Sequence, residues 1–178
     1  MKAIIIVGNT GRGKTTSAVK ALKKAKIEKR EIFVFDPNND YKEFYNKSFV
    51  NENDFCENVK DKENSFILFE EATIFFSNKG SNKILTSLLV RKRHQNNTVV
   101  LLFHSLRSIP VYIFELSNYL ILYKTADREN LIEKKFDAFP EIIEGFKKLK
   151  SIPDNNKQNF HSNFIIELNK PVSLLSQK

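Results

Sequence analysis

Gly8-Asn9-Thr10-Gly11-Arg12-Gly13-Lys14-Thr15 fits the pattern G-x-x-x-x-G-K-[ST] and follows directly on the apolar run Ala3 to Val7. A loop of this kind cradles phosphate. Its glycines let the backbone approach the anion through turns that a Cβ would obstruct, its lysine reaches the β- and γ-phosphates, and its hydroxyl serves Mg²⁺. The predicted nucleotide contacts are therefore Gly8, Asn9, Thr10, Gly11, Arg12, Gly13, Lys14, Thr15 and Thr16, with Thr15 also on the metal. A second constellation is Phe66-Ile67-Leu68-Phe69 running into Glu70-Glu71. Two carboxylates at the tip of an apolar strand repel each other and face desolvation, so stability alone is a poor reason for them. Beside a phosphate loop they divide the work: Glu70 holds the Mg²⁺ shell, and Glu71 orients or deprotonates the attacking water.

Further groups stand at other element ends. Leu102-Phe103 leads into His104-Ser105, which meets the γ-phosphate if that strand lies beside the first. An ordinary strand-ending histidine is the competing reading. Arg91-Lys92-Arg93-His94 precedes this strand and Arg107 follows it. Arginines there can stabilise transition-state charge on a neighbouring subunit's nucleotide or contact nucleic-acid phosphate, and the sequence does not divide Arg91, Arg93 and Arg107 between those roles.

The elements that must carry these groups are legible as five short apolar runs, Ala3 to Val7, Glu31 to Phe35, Ser65 to Phe69, Thr98 to Phe103 and Asn118 to Tyr123. Nearly continuous apolar strands alternating with helical stretches predict an α/β fold with a mainly parallel sheet covered on both faces. Helices are predicted over Lys14 to Lys26, Asn82 to Arg93 and Glu141 to Leu149, and short packed helices within the polar, aromatic-dotted stretch from Asn38 to Asn64. Residues 1–150 read as one phosphate-loop domain. Residues 151–178 form a C-terminal appendage, with Phe160 to Leu168 as a strand or arm that packs on this domain or on a neighbour.

Length and composition fit this picture. A chain of 178 residues, 41% hydrophobic, can bury one sizeable core. The single cysteine, Cys56, excludes an internal disulfide and suits a reducing, cytoplasmic setting. No stretch approaches the roughly 18 apolar residues of a membrane span. A formal charge of +8 makes a polyanion a reasonable partner, although lysines on solvated helix faces supply much of it.

With these residues placed, the chain resembles the FtsK/HerA superfamily of DNA-pumping ATPases, particularly its small viral genome-packaging members, over most of residues 1–127. Besides the phosphate loop, the resemblance rests on Phe35-Asp36-Pro37-Asn38-Asn39-Asp40-Tyr41, on the basic helix end at Arg91 to Arg93, and on Arg107-Ser108-Ile109-Pro110-Val111-Tyr112-Ile113, similar to the family's post-sensor loop. It implies a RecA-like sheet with the first strand flanked by the fourth and fifth. It also implies ATP and Mg²⁺ as cofactors and a homo-oligomeric ring with active sites between subunits. DNA gripped by its backbone, a capsid or portal-vertex protein to dock on, and a location in host cytoplasm or at a virion vertex follow from the same likeness. Glu70-Glu71 departs from the family's usual Asp-Glu, and His104-Ser105 from its usual Gln or Asn.

Other phosphate-loop proteins fit less well. A signalling GTPase needs DxxG and NKxD, whereas this chain has Glu70-Glu71-Ala72-Thr73 and Asn78-Lys79-Gly80-Ser81. A small-molecule kinase has no use for a water-positioning acid and usually carries an arginine-rich lid. Within the superfamily, Zot-like phage-extrusion ATPases are expected to continue into a membrane span. A nucleotide-binding protein without hydrolysis is disfavoured by the paired acids.

Overall fold

The computed structural model describes residues 1–45, 49, 51–77, 79–154 and 161–168. Asn78, Phe160 and the remainder of the C-terminal arm after Leu168 lie outside the described residues, as do parts of the stretch from Asn38 to Asn64. In chain order the elements are β1 (Lys2–Val7), α1 (Lys14–Ile27), β2 (Glu31–Phe35), α2 (Glu52–Val59), β3 (Ser65–Phe69), α3 (Ile74–Ser77), α4 (Lys79–Arg91), β4 (Thr98–Phe103), a 3-10 turn (Leu106–Ser108), α5 (Val111–Glu115), β5 (Tyr119–Tyr123), α6 (Glu129–Lys135), α7 (Pro140–Ser151) and β6 (Asn163–Glu167).

The strands form one sheet in the order β2-β3-β4-β1-β5-β6. β1 pairs in parallel with β4 on one side and β5 on the other, the order implied by the resemblance. Side chains alternate between the two faces of a strand, so the apolar runs supply two cores at once. Ile6, Val34, Leu68, Val100 and Leu102 meet Ala18 and Leu22 of α1 on one face. On the other, Ile5, Val7, Ile67, Leu101 and Phe103 meet α2, α4 and the later helices. Phe carries the aromatic share of this second core. Phe69 and Phe75 pack edge to face at 4.8 Å between ring centres, and Phe55 meets Phe69 at 5.1 Å, the arrangement favoured by the ring quadrupoles.

The structure differs from the sequence reading in its short helices, α3 and α6 among them, and in the direction of its last strand. The loop after the fourth strand contains a 3-10 turn and the helix α5, which starts after Pro110; these segments are too short for periodicity to reveal. The last strand, β6, runs antiparallel to β5. Asp154, just beyond α7, is bonded to Arg12 of the phosphate loop, so the chain stands at the loop end of the sheet and the next strand runs back down it.

Candidate active site

Parallel strands β1, β3 and β4 bring their carboxyl-terminal tips together, where sheets of this type bind ligands. Gly8 donates its backbone N–H to the Phe103 carbonyl at 3.1 Å, and Asn9 to the Lys124 carbonyl at 3.0 Å, so the loop is anchored to both strands flanking β1. The Asn9 side chain adds a bond from the Ala126 N–H at 3.1 Å. The glycines are required by space and by torsion. A Cβ on Gly8 would lie 2.5 Å from the Tyr123 Cβ, and Gly13 has φ +108°, a left-handed conformation at the N-cap of α1. Gly11 is also left-handed at φ 79°. Thr10, Thr15 and Thr16 are exposed around the loop.

Lys14 is only 6% exposed. Its ammonium donates to the Gly8 carbonyl at 2.8 Å, the Asn9 carbonyl at 3.2 Å and His104 Nδ1 at 3.2 Å. Burial pushes its pKa down, while Glu70 and Glu71 act in the opposite sense. Because an ammonium has no acceptor, Nδ1 must accept. The ring proton of neutral His104 then sits on Nε2, which bonds Glu71 Oε1. His104 thus bridges the loop lysine and the second acid. Glu71 itself has φ 54°, left-handed for a residue with a side chain.

Glu70 is 5% exposed, and burial raises its pKa. The buried phenol of Tyr41 donates to Glu70 Oε2 at 2.5 Å and opposes that shift. The Thr15 hydroxyl also acts on this phenol. Tyr41 is held in turn by Asp36, whose carboxylate accepts the backbone N–H of Asp40 at 2.9 Å and of Tyr41 at 2.8 Å, and the Tyr45 hydroxyl at 2.9 Å. The Asp36–Tyr41 segment, legible in the sequence as a family likeness, is therefore a brace behind the first acid. Its contact with Glu70 spans 29 residues and carries no local signal.

A phosphate chain and Mg²⁺ fit these residues. The loop leaves room where side chains would stand, the lysine lies beside it, and one buried carboxylate with one hydroxyl is the modest protein donor set Mg²⁺ takes when phosphates supply the rest. Among the described residues, no three or more His, Cys, Asp or Glu gather as a self-sufficient metal site.

The arginines separate. Arg107 is exposed at the loop end of the sheet, its turn held by Lys135, which donates to the Arg107 and Ile109 carbonyls at 2.6 Å each. Asp127 completes this turn, accepting Ser105 Oγ at 2.6 Å and the Leu106 N–H at 2.9 Å. Arg91 and Arg93 lie where α4 gives way to β4, at the opposite end. The length of β4, about 17 Å at about 3.3 Å per residue, separates them from the loop of their own chain. Arg91 faces Asp61 at 3.8 Å, and the Arg93 side chain is exposed. Between them Lys92 turns inward, capping the Leu89 and Leu116 carbonyls. Arg12 is paired, its guanidinium donating to both Asp154 oxygens at 2.7 and 2.6 Å, a contact between residues too distant in sequence to read.

Strand order and loop together define the class: a phosphate-loop NTPase fold. The sequence model of the HerA helicase central domain matches residues 2–171, and the chain belongs to that family. No curated protein sequence matches it. Among solved structures, it is similar to B204, the DNA-packaging ATPase of Sulfolobus turreted icosahedral virus, at 16% identity and TM-score 0.71, covering 94% of this chain and 92% of that one. The genome-packaging NTPase B204 of Sulfolobus turreted icosahedral virus 2, in complex with AMPPCP, gives 16% identity and TM-score 0.69 over the same shares. Identities this low establish the common fold. Among the described residues, no helix is long and apolar enough to cross a membrane.

Proposed function

We propose that the chain is an ATP-hydrolysing motor subunit that moves DNA, working in a homo-oligomeric ring that packages a viral genome into a preformed capsid. The observation that carries this reading is the contact path Lys14–His104–Glu71 at the mouth of the loop, which links the phosphate-binding lysine to an acid placed for water. The backbone of Gly8 to Thr16 holds the phosphates of ATP. Lys14 exchanges its present carbonyl and imidazole acceptors for the β- and γ-oxygens, and its contact with His104 therefore depends on whether the γ-phosphate is there. Thr15 and Glu70 would hold Mg²⁺, which when bound neutralises phosphate charge; Tyr41 keeps Glu70 aimed. Glu71 orients the attacking water and accepts its proton.

Arg91 and Arg93 cannot reach the loop of their own chain, which favours a role at the nucleotide of an adjacent subunit. Arg107 lies at the same end as the loop. The net charge of +8 supports a sequence-independent grip on DNA phosphates. The shared fold with the DNA-packaging ATPase B204 supports packaging as the task. A capsid or portal-vertex protein is then the docking partner, in host cytoplasm or at the virion vertex.

The test is ATPase activity of wild type and Glu71→Gln, with and without DNA, across protein concentration. Stimulation by DNA and by concentration is expected, with turnover in Glu71→Gln lower by about 10²–10⁴-fold. Activity indifferent to both DNA and concentration refutes the motor, and full turnover in Glu71→Gln removes that residue from its role.

A further inference from the structure

A closed circuit of contacts surrounds the mouth of the loop. Lys14 Nζ donates to the Asn9 carbonyl at 3.2 Å. The Asn9 side chain accepts the Ala126 N–H at 3.1 Å, and its backbone N–H donates to the Lys124 carbonyl at 3.0 Å, so the segment after β5 is fastened to the loop at two points. The next residue, Asp127, accepts the Ser105 hydroxyl on Oδ1 at 2.6 Å and the Leu106 N–H on Oδ2 at 2.9 Å. Ser105 follows His104 in the chain, and His104 Nδ1 returns to Lys14 at 3.2 Å. The path joins segments distant in sequence and closes on the lysine from which it started.

The Asp127 arm of this circuit is firm. A hydroxyl donating at 2.6 Å to a carboxylate lies within the short range of charge-assisted bonds. The Ser105 hydroxyl has one proton, and its oxygen accepts the Arg107 N–H at 3.1 Å, so its direction is set from both sides. Lys135 holds the same turn from its carbonyl side, at 2.6 Å from the Arg107 and the Ile109 oxygens. A displacement of Asp127 therefore moves the turn as a unit, and His104 with it.

Nucleotide changes which ties remain. On the hydrolytic reading, Lys14 gives up the Asn9 carbonyl and His104 when it takes the β- and γ-oxygens, and the circuit opens on that side. Two ties stay. The Gly8 N–H holds the Phe103 carbonyl at 3.1 Å, immediately before His104, and Asp127 holds Ser105 and Leu106, immediately after it. A side chain keeps its direction when the backbone is fixed on both sides of it, and Asp127 supplies the second side.

We infer that Asp127 is a positioning residue for hydrolysis, holding the backbone after His104 so that the imidazole stays on Glu71 once Lys14 has turned to the nucleotide. Asp127 touches no reacting atom; it acts through His104. The inference rests on the assignment of Lys14, His104 and Glu71 to hydrolysis.

The test is steady-state ATPase kinetics, with Mg²⁺ and DNA, on wild type, Asp127→Ala, Asp127→Asn, His104→Ala and the double variant of His104→Ala with Asp127→Ala. Each rate is referred to the folded fraction measured by circular dichroism. Asp127→Ala is expected to lower kcat about fivefold or more with KM within about twofold, short of the roughly 10²-fold that a misplacement of about 1 Å can cost. Asp127→Asn keeps an acceptor for the Leu106 N–H but not a second one for Ser105, and its kcat should fall less, by about twofold. In the double variant the Asp127 change should cost no more than about twofold beyond His104→Ala, because groups that act as a unit are not additive. Full kcat per folded molecule in Asp127→Ala, a loss that appears in KM instead, or losses that multiply in the double variant would each overturn the inference and leave the hydrolytic site standing. Should Asp127→Ala not fold, wild-type kcat in Asp127→Asn overturns it equally. Full turnover in His104→Ala, or wild type that does not hydrolyse ATP, overturns the hydrolytic assignment and the inference with it.

Discussion

Replacing Tyr41 by Phe removes one hydroxyl from a buried ring and tests what it does for Glu70. The phenol donates at 2.5 Å to a carboxylate almost entirely withdrawn from water. A hydrogen bond to a charged group contributes about 1.5–3 kcal/mol. Glu70 can answer the loss by taking up a proton, because burial already raises its pKa and the Tyr41 bond is the main opposing influence. A net cost of about 2 kcal/mol is therefore expected near neutral pH, which for a domain of this size lowers Tm by about 4–8 °C. A carboxyl whose folded pKa is raised favours the fold most below its ordinary value of 4.5 and loses that contribution as pH rises through the raised pKa. Removing the phenol raises that pKa further, so the deficit of Tyr41→Phe must be small in acid and grow with pH. Thermal melts of both proteins, without nucleotide or metal, at several pH values from about 4 to 8 supply the comparison. An unchanged Tm at neutral pH, or a deficit that shrinks as pH rises, refutes the assignment of Tyr41 as the brace of Glu70.

Gly8→Ala sets a methyl 2.5 Å from the Tyr123 Cβ, so backbone must move; a loss of about 1–3 kcal/mol in denaturant unfolding is expected, together with loss of ATP binding. Asp154 is held at a pKa of about 2 by its bond to Arg12, against an ordinary 3.8. The bridge's support of the fold is thus present above 3.8 and fades as pH falls through about 2. A carboxyl-carbon NMR titration of Asp154 reads that pKa, and Arg12→Ala should return it to the ordinary range. His104→Ala breaks the link between Lys14 and Glu71; steady-state kinetics should show kcat falling about tenfold or more with KM little changed, whereas an equal loss in nucleotide affinity would make His104 a binding group instead.

The sheet was legible because buried parallel strands are apolar on both faces. Glu31–Phe35, Ser65–Phe69 and Thr98–Phe103 stand out against polar flanks and occupy the residues the pattern indicated. The phosphate loop was legible because its chemistry is local: glycines, lysine and hydroxyl lie within one turn of chain. Short elements were not, since Val111–Glu115 and Glu129–Lys135 span no more than about two helical turns, too few for a periodic pattern to stand out. The direction of β6 was also hidden, because strand residues carry no mark of polarity and the reversal depends on where α7 ends. Contacts such as Tyr41 to Glu70 or Arg12 to Asp154 exist only once the sheet has brought distant segments together. Their residues could be named from sequence, but not their partnership.

Glu71 adopts a left-handed backbone that costs an L-residue about 1–2 kcal/mol and glycine much less. The position that the proposed chemistry requires is thus one where the fold would favour another residue. A laboratory selection for heat resistance alone would enrich Glu71→Gly and return a sturdier protein without the acid proposed to activate water. Thermostabilised variants of this chain should be sought with position 71 held fixed.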